Sequence, residues 1–185
     1  MTWITTIDET TAEGELARIY REIEEGRGKI SNIMRSQSLA PGAMKAHMDL
    51  YMELLFARGG LSRAERELIA VVVSVENGCA YCTEHHAEAL AAWWRDRERV
   101  ARLREDPDSA GLTEREAALA RFARTLTREP SASGRAGVEA LRSVGLECEE
   151  ILQATLITGY FNFVNRIAEG LGVEAPPGEI GGYRY

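Results

Sequence analysis

The chain has 185 residues, enough for one compact domain with a full core. Hydrophobic residues make up 45% and charged residues 28%, with a net charge of −7, which argues against nucleic acid or an anionic membrane as the main partner. No apolar run reaches the ~18 residues of a membrane span, the first residues lack the pattern of a signal peptide, and three cysteines make no secreted disulfide framework, so the expected compartment is the cytoplasm.

The stretch ETTAEGELARIYREIEEGRG carries Leu16, Ile19, Tyr20 and Ile23 at helical spacing and stops at Gly26 and Gly28. A second helix starts near Pro41, a residue favoured in a first turn. It places Met44, Met48, Tyr51, Met52 and Leu55 on one side and ends at Gly59 and Gly60. LSRAERELIAVVVSVENG opens with Ser62 and Glu65 at capping-box spacing and ends at Asn77 and Gly78, a C-cap signal. Its Ile69–Val73 run also fits a buried strand, but the capping box, the length and the Arg/Glu-rich first turn favour helix. CAYCTEHHAEALAAWW follows as the next helix. A short charged helix comes after it, with residues 95–105 read as a solvated face, and breaks at Pro107 and Asp108. Thr113 and Glu116 repeat the capping box before a helix that ends at Pro130. GRAGVEALRSVG is a short helix, 147–171 a long and mostly apolar one, and 172–185 an extended Pro/Gly-rich tail. No alternating strand pattern occurs. The expected fold is all-α, a single domain over 1–185 with seven or eight helices and its core roughly at 40–130.

Chemistry concentrates in ENGCAYCTEHHAEAL. On a helix starting just after Gly78, Cys79, Cys82 and His86 share one face at ~100° per residue, while Tyr81 and His85 point elsewhere. Thiols in a first turn meet unpaired N–H groups and the positive end of the helix dipole, which favour thiolate. His86 is placed to take or return a proton. If the helices flanking Gly78 form an antiparallel hairpin, Glu67 lies roughly 16 Å and His86 roughly 12 Å from the turn, nearly level. Glu67 then orients His86.

Glu67, eleven intervening residues, then CAYC and a His four positions on resemble the AhpD-like alkylhydroperoxidases of the carboxymuconolactone decarboxylase superfamily. The wider pattern (LSRAERELIAVVVS, NGCAYCTEHH, LTEREAALARFA, YFNFVNRIAEGLGV) is most similar to its uncharacterised peroxidase-related branch. The resemblance implies an all-α homo-oligomer (dimer, trimer or hexamer) that reduces hydroperoxides with no haem, flavin or metal. It implies Cys82 as the peroxidatic thiol, Cys79 as the resolving thiol nearer solvent, and Glu67 and His86 as the proton relay. Tyr81 departs from the pattern, since the best-studied type carries His there. A Tyr is a poor base near neutral pH, so the relay is shorter. Tyr81 and His85 are accessory candidates. A thioredoxin-like or lipoyl-bearing dithiol would reduce the Cys79–Cys82 disulfide.

Rival readings are a zinc site on Cys79, Cys82, His86 and Glu67, a non-redox decarboxylase of the same superfamily, and a redox sensor with little turnover. A thioredoxin fold lacks its α/β pattern here. Cys148, near a helix start, reads as passive. His47 reads as a core or interface histidine, with the pocket as the lesser alternative. Trp93, Trp94, Tyr160, Phe161 and Phe163 read as core and subunit contacts rather than a ligand box. Asn162 and Asn165 interrupt an apolar helix, and as buried amides they need partners. The apolar surface of that last helix implies self-association.

Overall fold

Helix formation follows the capping signals and apolar spacing closely. The computed structural model describes residues 2–184; Met1 and Tyr185, the ends of the expected domain and tail, lie outside the described residues. Among the described residues nine helices run in order: α1 (Gly14–Arg27), α2 (Asn32–Arg35), α3 (Pro41–Phe56), α4 (Arg63–Glu76), α5 (Ala80–Trp94), α6 (Arg97–Glu105), α7 (Glu114–Arg128), α8 (Pro130–Ser143) and α9 (Cys148–Leu171). A 3₁₀ turn at Pro107–Ser109 separates α6 from α7. No strand occurs among the described residues. The all-α expectation holds. The count rises by the short α2, whose four residues are too few for a periodic signal.

α4 is the centre of the fold. Both halves of its capping box form, between Ser62 and Glu65. The run Arg66–Ser74 is buried without a break, so the segment that also fitted a strand is a helix covered on all sides by α5, α7 and α9. α7 repeats the capping box with Thr113 and Glu116. Leu68, Ile69, Leu90, Leu119, Ile157 and Phe161 belong to one continuous buried cluster. The last helix is only partly covered: Leu152, Leu156 and Phe163 remain exposed on α9.

The joint between α4 and α5 carries the positions of interest. Gly78 takes a left-handed φ of +68°, a conformation that favours glycine. The Cys79 N–H donates to Ser74 O (2.9 Å) and the Gly78 N–H to Val75 O (3.0 Å), the two bonds of a Schellman motif. Cys79 thus ends one helix and serves as N-cap of the next.

The α3–α4 connection is held by one side chain. Buried Arg66 donates to Leu61 O (2.8 Å), Leu54 O (3.3 Å), Ala57 O (2.8 Å) and Gly59 O (2.5 Å). Replacing it with Ala strands several of these carbonyls, and urea unfolding should register a loss of roughly 2–3 kcal/mol. Lys, with a point charge in place of a fork, should recover little of it.

Candidate active site

Glu67 and His86 meet across the α4–α5 hairpin. His86 Nδ1 and Glu67 Oε2 lie 2.7 Å apart, so the level match inferred from distances to Gly78 is met. The carboxylate accepts, which places the Nδ1 proton on the shared bond and leaves Nε2 of the neutral ring free to take a proton. The other oxygen of Glu67, Oε1, accepts from Arg63 Nη2 at 2.6 Å and Nε at 2.9 Å. Glu67 is wholly buried. Burial works against its charge, but His86 and Arg63 outweigh it and hold the carboxyl below its usual range. The rings of Phe161 and His86 pack nearly perpendicular, with centroids 4.5 Å apart.

Cys82 and His86 line one cavity of about 70 Å³, together with Tyr81, His85, Tyr160 and Phe161. That exceeds the ~10–15 Å³ needed for one water, so a peroxide group fits. Both thiols are free, with no disulfide between them. Cys79 was expected nearer solvent, but it is wholly buried, while Cys82 is 3% exposed and faces the cavity. The N-cap position in the Schellman joint draws Cys79 inward. The expected favouring of thiolate is also reversed at Cys82. Contact with the Cys79 thiol and burial raise its pKa well above the ordinary thiol value, and Asn165 opposes them only in part.

Tyr81 and His85 do not point away from the site, because Cys82 lies between His85 and His86 on the helix face and the cavity is wide enough to reach both. Tyr81 is no proton relay, however. Its hydroxyl donates to Glu179 Oε1 at 2.9 Å and accepts from the Ile33 N–H at 3.2 Å. Burial, first, and Glu179 raise its pKa well above 10. Burial likewise lowers the pKa of His85. Its Nε2 lies 3.6 Å from Glu179 Oε1, too far for a hydrogen bond.

Sequence reasoning missed Glu179, which sits in a tail with no periodicity. It also gave Tyr160 and Phe161 to core and subunit contacts, and they line the cavity as well. His47 sits behind that wall, with Nε2 2.7 Å from the Tyr160 hydroxyl and Nδ1 against Gln37. Burial lowers its pKa to about 4, so it is neutral near pH 7. Asn165 and Asn162 tie α9 to the end of α4: Asn77 Nδ2 donates to both, at 2.9 and 3.1 Å, and Asn165 donates to Ser74 Oγ at 3.2 Å. Trp93 is half exposed and Trp94 stacks on Arg99. Cys148 is exposed, 3.9 Å from Arg142. The four-ligand zinc arrangement does not form. Glu67 spends both oxygens on Arg63 and His86, and among the described residues no group of three His, Cys, Asp or Glu is placed to hold a metal ion.

Removing the Glu67 charge leaves Arg63, 10% exposed, beside a neutral amide. Glu67→Gln should lose roughly 3 kcal/mol at pH 7 in urea unfolding. The Glu67 carboxyl has a folded pKa below its unfolded value of 4.5. Its contribution is therefore present above pH 4.5 and fades as pH falls below it. The gap between parent and variant should narrow between pH 5 and about pH 3.

Residues 41–125, which hold both thiols, Glu67 and His86, match the carboxymuconolactone decarboxylase family. The uncharacterized protein YdfG of Bacillus subtilis is 29% identical over 139 residues, covering 74% of this chain and 92% of its own. A peroxidase-related protein with an AhpD core from Ralstonia eutropha superposes with a TM-score of 0.88 at 22% identity, over 97% of this chain and 94% of that one. A peroxidase-related protein from Silicibacter does so with a TM-score of 0.84 at 28% identity, over 97% and 96%. The debrominase Bmp8 shares the fold at 20% identity, with a TM-score of 0.79 over 94% and 92%, so the fold alone does not fix the reaction. The motif, its geometry and these likenesses agree: residues 41–125 match the carboxymuconolactone decarboxylase family, and the chain as a whole has the fold of AhpD-like peroxidase-related proteins.

Proposed function

We propose that the protein is a thiol-dependent peroxidase. The observation that carries this reading is the Glu67–His86 contact of 2.7 Å beside a cavity that Cys82 lines. His86, held in one tautomer by Glu67, takes the Cys82 proton. The Cys82 thiolate attacks one oxygen of the hydroperoxide, the O–O bond breaks, and the leaving oxygen takes the proton back from His86, giving an alcohol or water. Cys82 becomes a sulfenic acid. Cys79 attacks it, releasing water and forming the Cys79–Cys82 disulfide. A thioredoxin-like or lipoyl-bearing dithiol restores both thiols and is itself oxidised to a disulfide. Such a cycle belongs in a reducing compartment such as the cytoplasm; no described helix is long and apolar enough to cross a membrane.

A redox sensor with little turnover is the second reading, favoured by one observation: Cys79 is wholly buried, which hinders an external dithiol from reaching the disulfide to complete the cycle. One equivalent of hydroperoxide should remove two of the three thiols per chain, and repeated turnover with a dithiol reductant separates enzyme from sensor. Cys82→Ser should abolish peroxide consumption. His86→Gln should lower it by about 10²–10⁴-fold. Full activity in Cys82→Ser and in Cys79→Ser would end the proposal.

The reading includes self-association. Leu152, Leu156 and Phe163 recur within ~40° on one stripe of α9 and are 58%, 48% and 49% exposed, a surface suited to a second copy. Light scattering should give a multimer of the 20.5 kDa chain, and Leu156→Glu should shift it towards monomer.

A further inference from the structure

The segment after α9 has no helix to support it, yet it is tied down along its length. Asn32 Nδ2 donates to Glu174 O at 3.0 Å, and Lys29 to Gly178 O at 2.5 Å and Glu179 O at 2.8 Å. The Arg184 N–H donates to Arg27 O at 3.0 Å, and the Arg27 guanidinium returns a bond to the Arg184 carbonyl. At the centre is Glu179, only 5% exposed. Its Oε1 accepts from the Asn32 N–H (2.8 Å), the Tyr81 hydroxyl (2.9 Å) and the Tyr183 hydroxyl (3.3 Å), and Oε2 faces Lys29 at 3.7 Å. A buried carboxylate is tolerated only when so satisfied. This one joins α2, α5 and the segment at a single point. Tyr183 is thereby held in the wall of the Cys82 cavity, with its ring 5.4 Å from that of His85.

We infer that the C-terminal segment selects which hydroperoxides reach Cys82: Glu179 is the positioning residue that pins it, and Tyr183 is the specificity-determining side chain. The inference rests on the peroxidase reading for its substrate. A wall that limits the cavity to about 70 Å³ favours hydrogen peroxide and short alkyl hydroperoxides over bulky ones.

The test uses the full chain in a Cys148→Ser background, which removes the exposed thiol. Cys82 is alkylated with iodoacetamide and with a fluorescein maleimide, and each adduct is located by mass spectrometry. Turnover with hydrogen peroxide and cumene hydroperoxide is measured in parallel. Tyr183→Ala should raise both ratios of bulky to small, in alkylation rate and in kcat/KM, by roughly tenfold. Glu179→Ala should do the same, and Glu179→Gln, with one acceptor oxygen left, should fall between. Cys79 should stay unreactive, which separates a widened wall from general unfolding. Unchanged ratios in Tyr183→Ala, or Cys79 reacting as fast as Cys82, overturn the inference. Because alkylation needs no turnover, a raised alkylation ratio in a chain that consumes no peroxide upholds the wall and removes the peroxidase reading alone.

Discussion

A buried carboxylate with two cationic or proton-bearing neighbours organises this structure. Glu67 lies at zero exposure in the helix that forms the centre of the core. An isolated charge there would be untenable, and a carboxyl would protonate instead. Arg63 and His86 prevent that, one on each oxygen. The pairing fixes the turn-to-turn register of α4 against α5, because sliding α5 by one residue along α4 would carry His86 ~1.5 Å along the axis and ~100° around it. Fold and chemistry therefore rest on the same contact: the bond that sets the hairpin register also sets the tautomer of His86.

The Cys pair depends on the joint rather than on that bond. Gly78 lets the chain reverse, and the Schellman bonds through Gly78 and Cys79 leave no slack between the helices. Cys79 is pulled into the core while Cys82, three residues on, faces the cavity. Two opposing influences meet at Cys82. The helix N-terminus favours thiolate, whereas the neighbouring thiol and burial favour the protonated form, and they prevail. The thiol is thus largely protonated at rest, and in the peroxidase reading His86, with its Nδ1 proton anchored, is the base that removes that proton.

Much of this was legible in the sequence because it is local. Capping boxes at Ser62 and Thr113, the left-handed glycine at 78 and the Glu67–Cys79–Cys82–His86 spacing are all read within one or two helices. What escaped depends on contacts between segments far apart in the chain. α2 is four residues long, and the tail bonds both its first residue, Asn32, and the nearby Lys29. Glu179 meets Tyr81 across 98 positions, and His47 meets Tyr160 across 113. Tyr160 and Phe161 look the same in sequence whether they fill a core or line a cavity. The burial of Cys79 is likewise not in the local pattern: the resemblance implies a thiol nearer solvent, whereas the Schellman joint draws it into the core.

Tyr81 shows how the distant contacts reshape the local reading. By position it stands where the resemblance implies a relay histidine, and by chemistry it is a poor base near neutral pH, able to donate or accept a hydrogen bond but not to take up a proton. The structure gives that one donor to Glu179 and the acceptor side to the Ile33 N–H. Its one proton is therefore not available to Cys82. This position anchors the segment that walls the cavity, and in the peroxidase reading the proton traffic falls to the Glu67–His86 pair. A relay of one imidazole returns to the leaving oxygen only the proton it took from the thiol. It therefore needs the substrate held close to both sulfur and ring, and a narrow, pinned cavity provides that condition.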